Sequence, residues 1–204
     1  MKKAVLIDFD GVLTLDETGS ESICNYISER TGADKDLLKR EYRKFNPELL
    51  AGKLKHEDIW CELCDKIGTD IDINVLYESF INTPINLRML ELAKDIKSKG
   101  YKLGLVTDNK ADRMDSIIKY YDFGEVFDGI AVSAEVGACK DKDLIFLEIF
   151  KQLDTAPDKC VFIDNKAENL IIPKNLGVSV IYFDHEENDV GKLRGELFNL
   201  GMEL

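Results

Sequence analysis

Ala4-Val5-Leu6-Ile7-Asp8-Phe9-Asp10-Gly11-Val12-Leu13-Thr14 decides how this chain is read, because an apolar run ends in two carboxylates one residue apart. If the run is a buried strand, side chains at i and i+2 share a face, so Asp8 and Asp10 are expected to leave the strand end in similar directions. Two unit charges ~4 Å apart repel by roughly 4 kcal/mol at an effective dielectric of ~20, so the pair calls for a proton, a cation or separation. Gly11 permits a sharp turn or a close approach of backbone to ligand. The same letters also suit an ordinary Asp/Gly turn, and the rest of the chain has to decide between the two.

At 204 residues the chain fits one domain with an insertion or two small domains. Its 45% hydrophobic and 32% charged residues describe a globular protein. No apolar run approaches the ~20 residues of a membrane span, and the apolar part after Met1-Lys2-Lys3 is too short for a secretory signal. A cytoplasmic location is therefore expected. A net charge of -12 argues against nucleic acid and anionic membranes as partners. Phosphate would be bound through a divalent cation, a few placed donors and backbone N–H groups. The odd set Cys24, Cys61, Cys64, Cys139 and Cys160 forms no obvious disulfide framework. The Cys-x-x-Cys of Cys61 and Cys64 falls in an amphipathic segment without a second ligand pair, which favours packing over metal or redox chemistry. His56 and His185 stand in polar contexts and are expected to be solvated surface histidines.

Strand-like runs recur at Val5–Phe9, Leu103–Thr107, Gly129–Ser133, Cys160–Asp164 and Val178–Phe183, several of them apolar almost throughout, as strands covered on both faces are. Helical patterns lie between them, which predicts an α/β fold with a parallel sheet. Residues 15–84 contain no convincing strand. Four apolar stripes there, separated at Thr31-Gly32, Phe45-Asn46-Pro47 and Ile67-Gly68, predict an all-helical insert between a core made of 1–14 and 85–204. Pro173, inside a helical stretch from Ala167 to Leu176, predicts a kink or an early end.

Three later segments end in chemistry. Thr107 and Asp108 follow the second strand, Lys140 follows the third, and Asp164 and Asn165 follow the fourth, with Glu168 one turn on. Taken singly, each has an ordinary reading as a helix cap or a solvated loop residue. Together they fall at the carboxyl ends of parallel strands, the edge where open α/β sheets bind ligands. Asp8, Asp10 and Asp164 offer oxygen ligands for a hard cation such as Mg²⁺, while Thr107 and Lys140 supply donors for phosphate.

The ordered set Asp-x-Asp-Gly, Thr, Lys and a terminal acid resembles that of the haloacid dehalogenase superfamily of aspartate-nucleophile phosphotransferases, along the whole chain. The resemblance implies a Rossmann-like core sandwiched by helices, with the insert as a cap. It implies Asp8 as nucleophile and Asp10 as general acid and then base. Thr107, the N–H groups after it and Lys140 would hold phosphate, and Mg²⁺ would sit on Asp8, the Asp10 carbonyl and Asp164. Three positions depart from the usual pattern. Asn165 stands where a second Asp is frequent, leaving the outer metal shell to Glu168. Asp108 replaces Asn, so its carboxylate is expected to turn away while its N–H binds. Asp141 replaces a frequent proline. The expected activity is a Mg²⁺-dependent phosphatase for a small phosphorylated metabolite. A phosphomutase shares the same motifs, a dehalogenase fits less well because halide needs no proton, and a phospho-acceptor signalling domain or a catalytically dead relative are the readings from other classes. Substrate and oligomeric state are not encoded in any motif found.

Overall fold

The computed structural model describes residues 2–204. Five parallel strands form one sheet: β1 (Ala4–Ile7), β2 (Lys102–Thr107), β3 (Gly129–Val132), β4 (Cys160–Asp164) and β5 (Ser179–Tyr182), in spatial order β3-β2-β1-β4-β5. In register, Ile7 lies level with Leu105 on one side and Ile163 on the other, so three strand ends come up side by side. Five helices follow β1: α1 (Gly19–Thr31), α2 (Lys35–Arg43), α3 (Asn46–Leu50), α4 (His56–Ile67) and α5 (Ile73–Ile81). Then come α6 (Leu87–Ser98), α7 (Ala111–Tyr120), the short α8 (Phe123–Val126) and α9 (Ser133–Val136), α10 (Asp143–Gln152), α11 (Ile171–Asn175) and α12 (Val190–Asn199).

Alternation along the strands sends side chains into two apolar layers. Val5, Ile7, Leu103, Leu105 and Ile163 pack with Met89, Leu92 and Ile96 of α6, Met114 and Ile117 of α7 and Leu193 of α12. Ala4, Leu6, Val106 and Phe162 face the opposite way onto Ile145, Phe146 and Ile149 of α10. The sheet is thus covered on both sides, which explains the unbroken apolar runs. Ile23, Leu38, Tyr42, Leu63, Leu76 and Phe80 of the five-helix insert are buried and continuous with the first layer. The chain leaves and re-enters the core at one neck. Leu15 N–H donates to the Pro84 carbonyl at 2.9 Å and Asn86 N–H to that of Leu13 at 2.8 Å.

Several local expectations change. Strand β1 ends at Ile7, not Phe9, and Phe9–Leu13 form one wide turn closed by Thr14 N–H on the Phe9 carbonyl at 3.1 Å. Gly11 holds φ +81°, and a Cβ there would lie 2.1 Å from Asn165 Nδ2, so the position requires glycine on two counts. Asn46-Pro47 opens α3 instead of merely breaking a helix, with proline in the first turn where its missing N–H costs nothing. Pro173 likewise lies in the first turn of α11, and the bend comes before it, where a 3₁₀ turn at Ala167–Leu170 gives way to α11. Cys64 is buried as expected but Cys61 is exposed, and all five cysteines are free thiols. No helix among the described residues is long and apolar enough to cross a membrane.

Phe146 is fully buried and meets the Phe162 ring edge-on at 5.3 Å between centroids. Its replacement by alanine is expected to cost about 3–5 kcal/mol in equilibrium urea unfolding; a loss below about 1 kcal/mol would contradict this packing.

Candidate active site

The wide turn after β1 separates the two acids that stand one residue apart in the sequence. Asp8 caps the turn, its Oδ1 accepting from Phe9 N–H at 2.7 Å and from Lys140 Nζ at 2.7 Å. Asp10 has other partners: Arg113 of α7 clasps it through Nη1 on Oδ2 and Nη2 on Oδ1, both at 2.9 Å, and Asn109 Nδ2 donates to Oδ2 at 2.8 Å. The repulsion is relieved by giving each carboxylate a cation, Lys140 for Asp8 and Arg113 for Asp10, while both still line one cleft. Such fork-to-fork pairing fixes geometry as well as charge. Gly19 is part of the device, since a Cβ there would stand 2.1 Å from Arg113 Nη1.

Lys140 also reaches Asp164, whose Oδ2 accepts from Nζ at 2.6 Å. Asp164 is itself oriented by the turn after β4, with Lys166 N–H on Oδ1 at 2.8 Å and Asn169 Nδ2 at 3.1 Å from each oxygen. Asp108 turns its carboxylate aside, as expected, and Oδ1 accepts the Lys140 backbone N–H at 2.8 Å, so it holds the lysine's loop. Thr107 is buried, its hydroxyl accepting from Asn109 Nδ2 at 3.3 Å. Asp8, Asp10, Thr107, Asp108, Lys140 and Glu168 all line one cleft of about 270 Å³, with Ser20 and Asn46 contributed by the insert. Asp164 lies beneath it, fully buried, and Asn165 packs against Gly11 to one side.

Burial raises the Asp8 carboxyl well above the usual range, and the charge of Asp164 adds to this while Lys140 opposes it. For Lys140 burial alone would favour the neutral amine, but Asp8, Asp164 and Asp108 together outweigh it and hold the ammonium protonated. Burial also raises Asp108, against the attraction of Lys140.

Three functional-looking groups escaped the sequence reading. Arg113 is fully buried, its guanidinium 5.4 Å from the centre of the Phe9 ring. Lys110 is 4% exposed, lines the cleft and lies 5.4 Å from the centre of the Tyr42 ring. His56 is not a surface residue: it is 0% exposed, Nε2 lying 2.7 Å from the Tyr42 hydroxyl and Nδ1 2.8 Å from both Asp112 oxygens. His185 is half-buried in a turn. Lys110, Arg113, Met114 and Ile117 form one i, i+3, i+4, i+7 stripe, as do His56, Ile59, Trp60 and Leu63. Polar residues inside an apolar stripe are the signal by which these could have been found.

The sequence profile of the haloacid dehalogenase-like hydrolases matches residues 2–177, and the chain belongs to that family. It is 29% identical over 131 residues to a sesquiterpene phosphatase of Aspergillus oryzae, covering 62% of this chain and 66% of that one. It is 30% identical over 93 residues to a glyceraldehyde 3-phosphate phosphatase of Methanothermobacter thermautotrophicus, covering 45% of this chain and 41% of that one. The matched region thus spans less than two thirds of either relative. In fold it is similar to a haloacid dehalogenase family enzyme of Bacteroides thetaiotaomicron solved with magnesium and inorganic phosphate. There the TM-score is 0.75 at 18% identity over 94% of this chain and 99% of the other.

The donor set suits such a cation. Asp8 Oδ2 takes no hydrogen bond among the described residues, and Asn165 Oδ1 is buried without a partner. No three His, Cys, Asp or Glu side chains among the described residues are arranged to enclose a metal ion. Magnesium does not require an all-protein cage, because it keeps several waters and binds through one or two carboxylates plus substrate phosphate.

Burial lowers the His56 pKa below its ordinary 6.5, with Asp112 opposing. The unfolded chain therefore binds the proton that the folded one resists, and stability falls as pH drops below about 6.5 toward the folded-state value. His56→Gln is expected to flatten that part of the stability profile in urea titrations between about pH 6.5 and 5; an unchanged slope would contradict a buried neutral imidazole.

Proposed function

We propose that this chain is a magnesium-dependent phosphatase acting on a small phosphorylated metabolite through an aspartyl-phosphate intermediate. The observation that carries the reading is that Asp8 Oδ2 takes no hydrogen bond among the described residues, on a carboxylate lining a cleft that Thr107 and Lys140 also line. Similarity to two phosphatases supports the same reaction class.

In this reading Asp8 Oδ2 attacks phosphorus, the bond from phosphorus to the ester oxygen breaks, and Asp10 hands a proton to the departing oxygen. Water then attacks the acyl phosphate, Asp10 takes one of its protons, and inorganic phosphate leaves with Asp8 restored. Both Asp10 oxygens accept hydrogen bonds from Arg113, which suits the base form needed in the second half-reaction. In the first, one Arg113 contact gives way to the proton. The Thr107 hydroxyl, the Asp108 N–H and the Lys140 ammonium hold the phosphoryl oxygens.

Charge balance explains the metal. Asp8, Asp10, Asp108 and Asp164 face Lys140, Arg113 and Lys110, so the site formally retains one negative charge before a phosphate dianion arrives. Asp8, Asp164 and the Asp10 carbonyl would hold magnesium, with Asn165 or Glu168 outside, and the ion would supply the positive charge that offsets this. Residues 15–84 serve as a cap on the core of 1–14 and 85–204, and a helical lid over the sheet edge excludes water and bulky substrates. A cleft of about 270 Å³ is at the small end for ligand sites.

The purified protein is expected to release inorganic phosphate from p-nitrophenyl phosphate with magnesium and to lose that activity with a chelator. Asp8→Asn should lower kcat by about 10³-fold or more. Hydrolysis that survives in Asp8→Asn, or is absent with every phosphate ester tried, would overturn the assignment.

A further inference from the structure

Two lysines line the cleft without holding a phosphoryl oxygen in the proposed chemistry, and of these Lys166 is half-buried whereas Lys110 is buried. Its Nζ makes no ion pair and no hydrogen bond among the described residues. Yet the residue is 4% exposed and lines the cleft. A buried ammonium without a carboxylate is costly. Its surroundings do not neutralise it: the Tyr42 ring of α2 lies over it, the Cys24 thiol comes from α1, and Arg113 repels it from its own helix. Asp10 and Asp112 attract it from further off, and both are already engaged with Arg113 and His56. Burial and Arg113 push the ammonium down to about 8. Lys110 also stands at the N-terminus of the ten-residue helix α7, where free N–H groups add positive potential.

Its position differs from that of the phosphate donors. Thr107 and Lys140 serve the sheet edge beside Asp8, whereas Lys110 faces α1 and α2 of the insert. Ser20 and Asn46 line the same cleft and hydrogen-bond each other, Asn46 Nδ2 to Ser20 Oγ at 3.2 Å. An ammonium, a hydroxyl and an amide thus line one cleft, and all three can donate hydrogen bonds to an oxyanion.

We infer that Lys110 binds a second anionic group of the substrate, so that the preferred substrates are phosphate monoesters of small molecules carrying a carboxylate or another phosphate. The inference rests on the phosphatase reading and deepens it. The phosphoryl end lies over Asp8 while the distal oxyanion fills the position opposite Lys110, which selects substrates of matching length.

The test compares pairs of esters that differ in the distal charge: phosphoglycolate against 2-hydroxyethyl phosphate for the carboxylate, and propane-1,3-diol bisphosphate against propyl phosphate for the second phosphate. In the wild-type enzyme kcat/KM for at least one charged member should exceed that of its neutral partner by roughly 10- to 100-fold, the range for a charge-assisted hydrogen bond. The pair with the larger ratio identifies the oxyanion. Lys110→Met and Lys110→Gln, checked for folding by thermal unfolding, should bring that ratio close to one, mainly through KM. If the wild-type enzyme hydrolyses the neutral esters without preferring the charged ones, the inference fails and the phosphatase reading stands. It fails in the same way if the ratio survives in both Lys110 variants, or if Lys166→Met, from the same cleft, abolishes it instead. If no ester is hydrolysed, both fall together.

Discussion

The constraint on which the site depends is the compensation of carboxylates taken out of water at the end of the sheet. Asp8 and Asp164 are almost wholly buried, and Lys140 lies between them at 2.7 and 2.6 Å. A buried charge left without a partner is strongly destabilising, whereas a well-bonded pair roughly offsets its own desolvation. Much of the local sequence can be understood as keeping that compensation in place. Asp108 fixes the backbone of Lys140, the turn after β4 fixes Asp164, and Asn109, Thr83 and the missing side chain of Gly19 hold Arg113 against Asp10. Removal of Lys140 would leave two acids, Asp8 and Asp164, exposed to the cost.

The same economy of buried polar groups ties the insert to the core. Tyr42 of α2, His56 of α4 and Asp112 of α7 form a continuous hydrogen-bonded chain, and Asp112 immediately precedes the arginine that orients Asp10. Lys110, immediately before α7, lies under the same tyrosine. Helix α7 therefore carries groups facing the sheet edge and groups facing the insert. The two chain crossings at Leu15 and Pro84 run side by side, which leaves the insert attached through one narrow neck.

The strands were legible because burial on both faces of a parallel sheet leaves apolar runs that few other structures produce, and all five lie within two residues of their expected bounds. The gathering of Asp8, Thr107, Lys140 and Asp164 followed from a topological fact: parallel strands present their carboxyl ends to one edge. Which cation would hold Asp10 was not legible. Alternation along a strand predicts a side chain's direction only while the strand lasts, and β1 ends before Asp8, at a turn whose course depends on Gly11 at φ +81°. Arg113, Lys110 and His56 were missed for a different reason. Charged residues on helices are usually solvated, and that expectation obscured their place in the apolar stripes of α7 and α4. The partners that make their burial tolerable, Asp10 for Arg113 and Tyr42 with Asp112 for His56, are distant in sequence, and no local pattern announces them.

The most direct measurement is a crystal structure of the protein with magnesium and a phosphoryl mimic such as beryllium fluoride. The account predicts the mimic bonded to Asp8 Oδ2, with Lys140 and the Thr107 hydroxyl on its fluorine atoms and the metal on the Asp164 side. A mimic bound away from Asp8, or a metal with neither Asp8 nor Asp164 among its ligands, would contradict it.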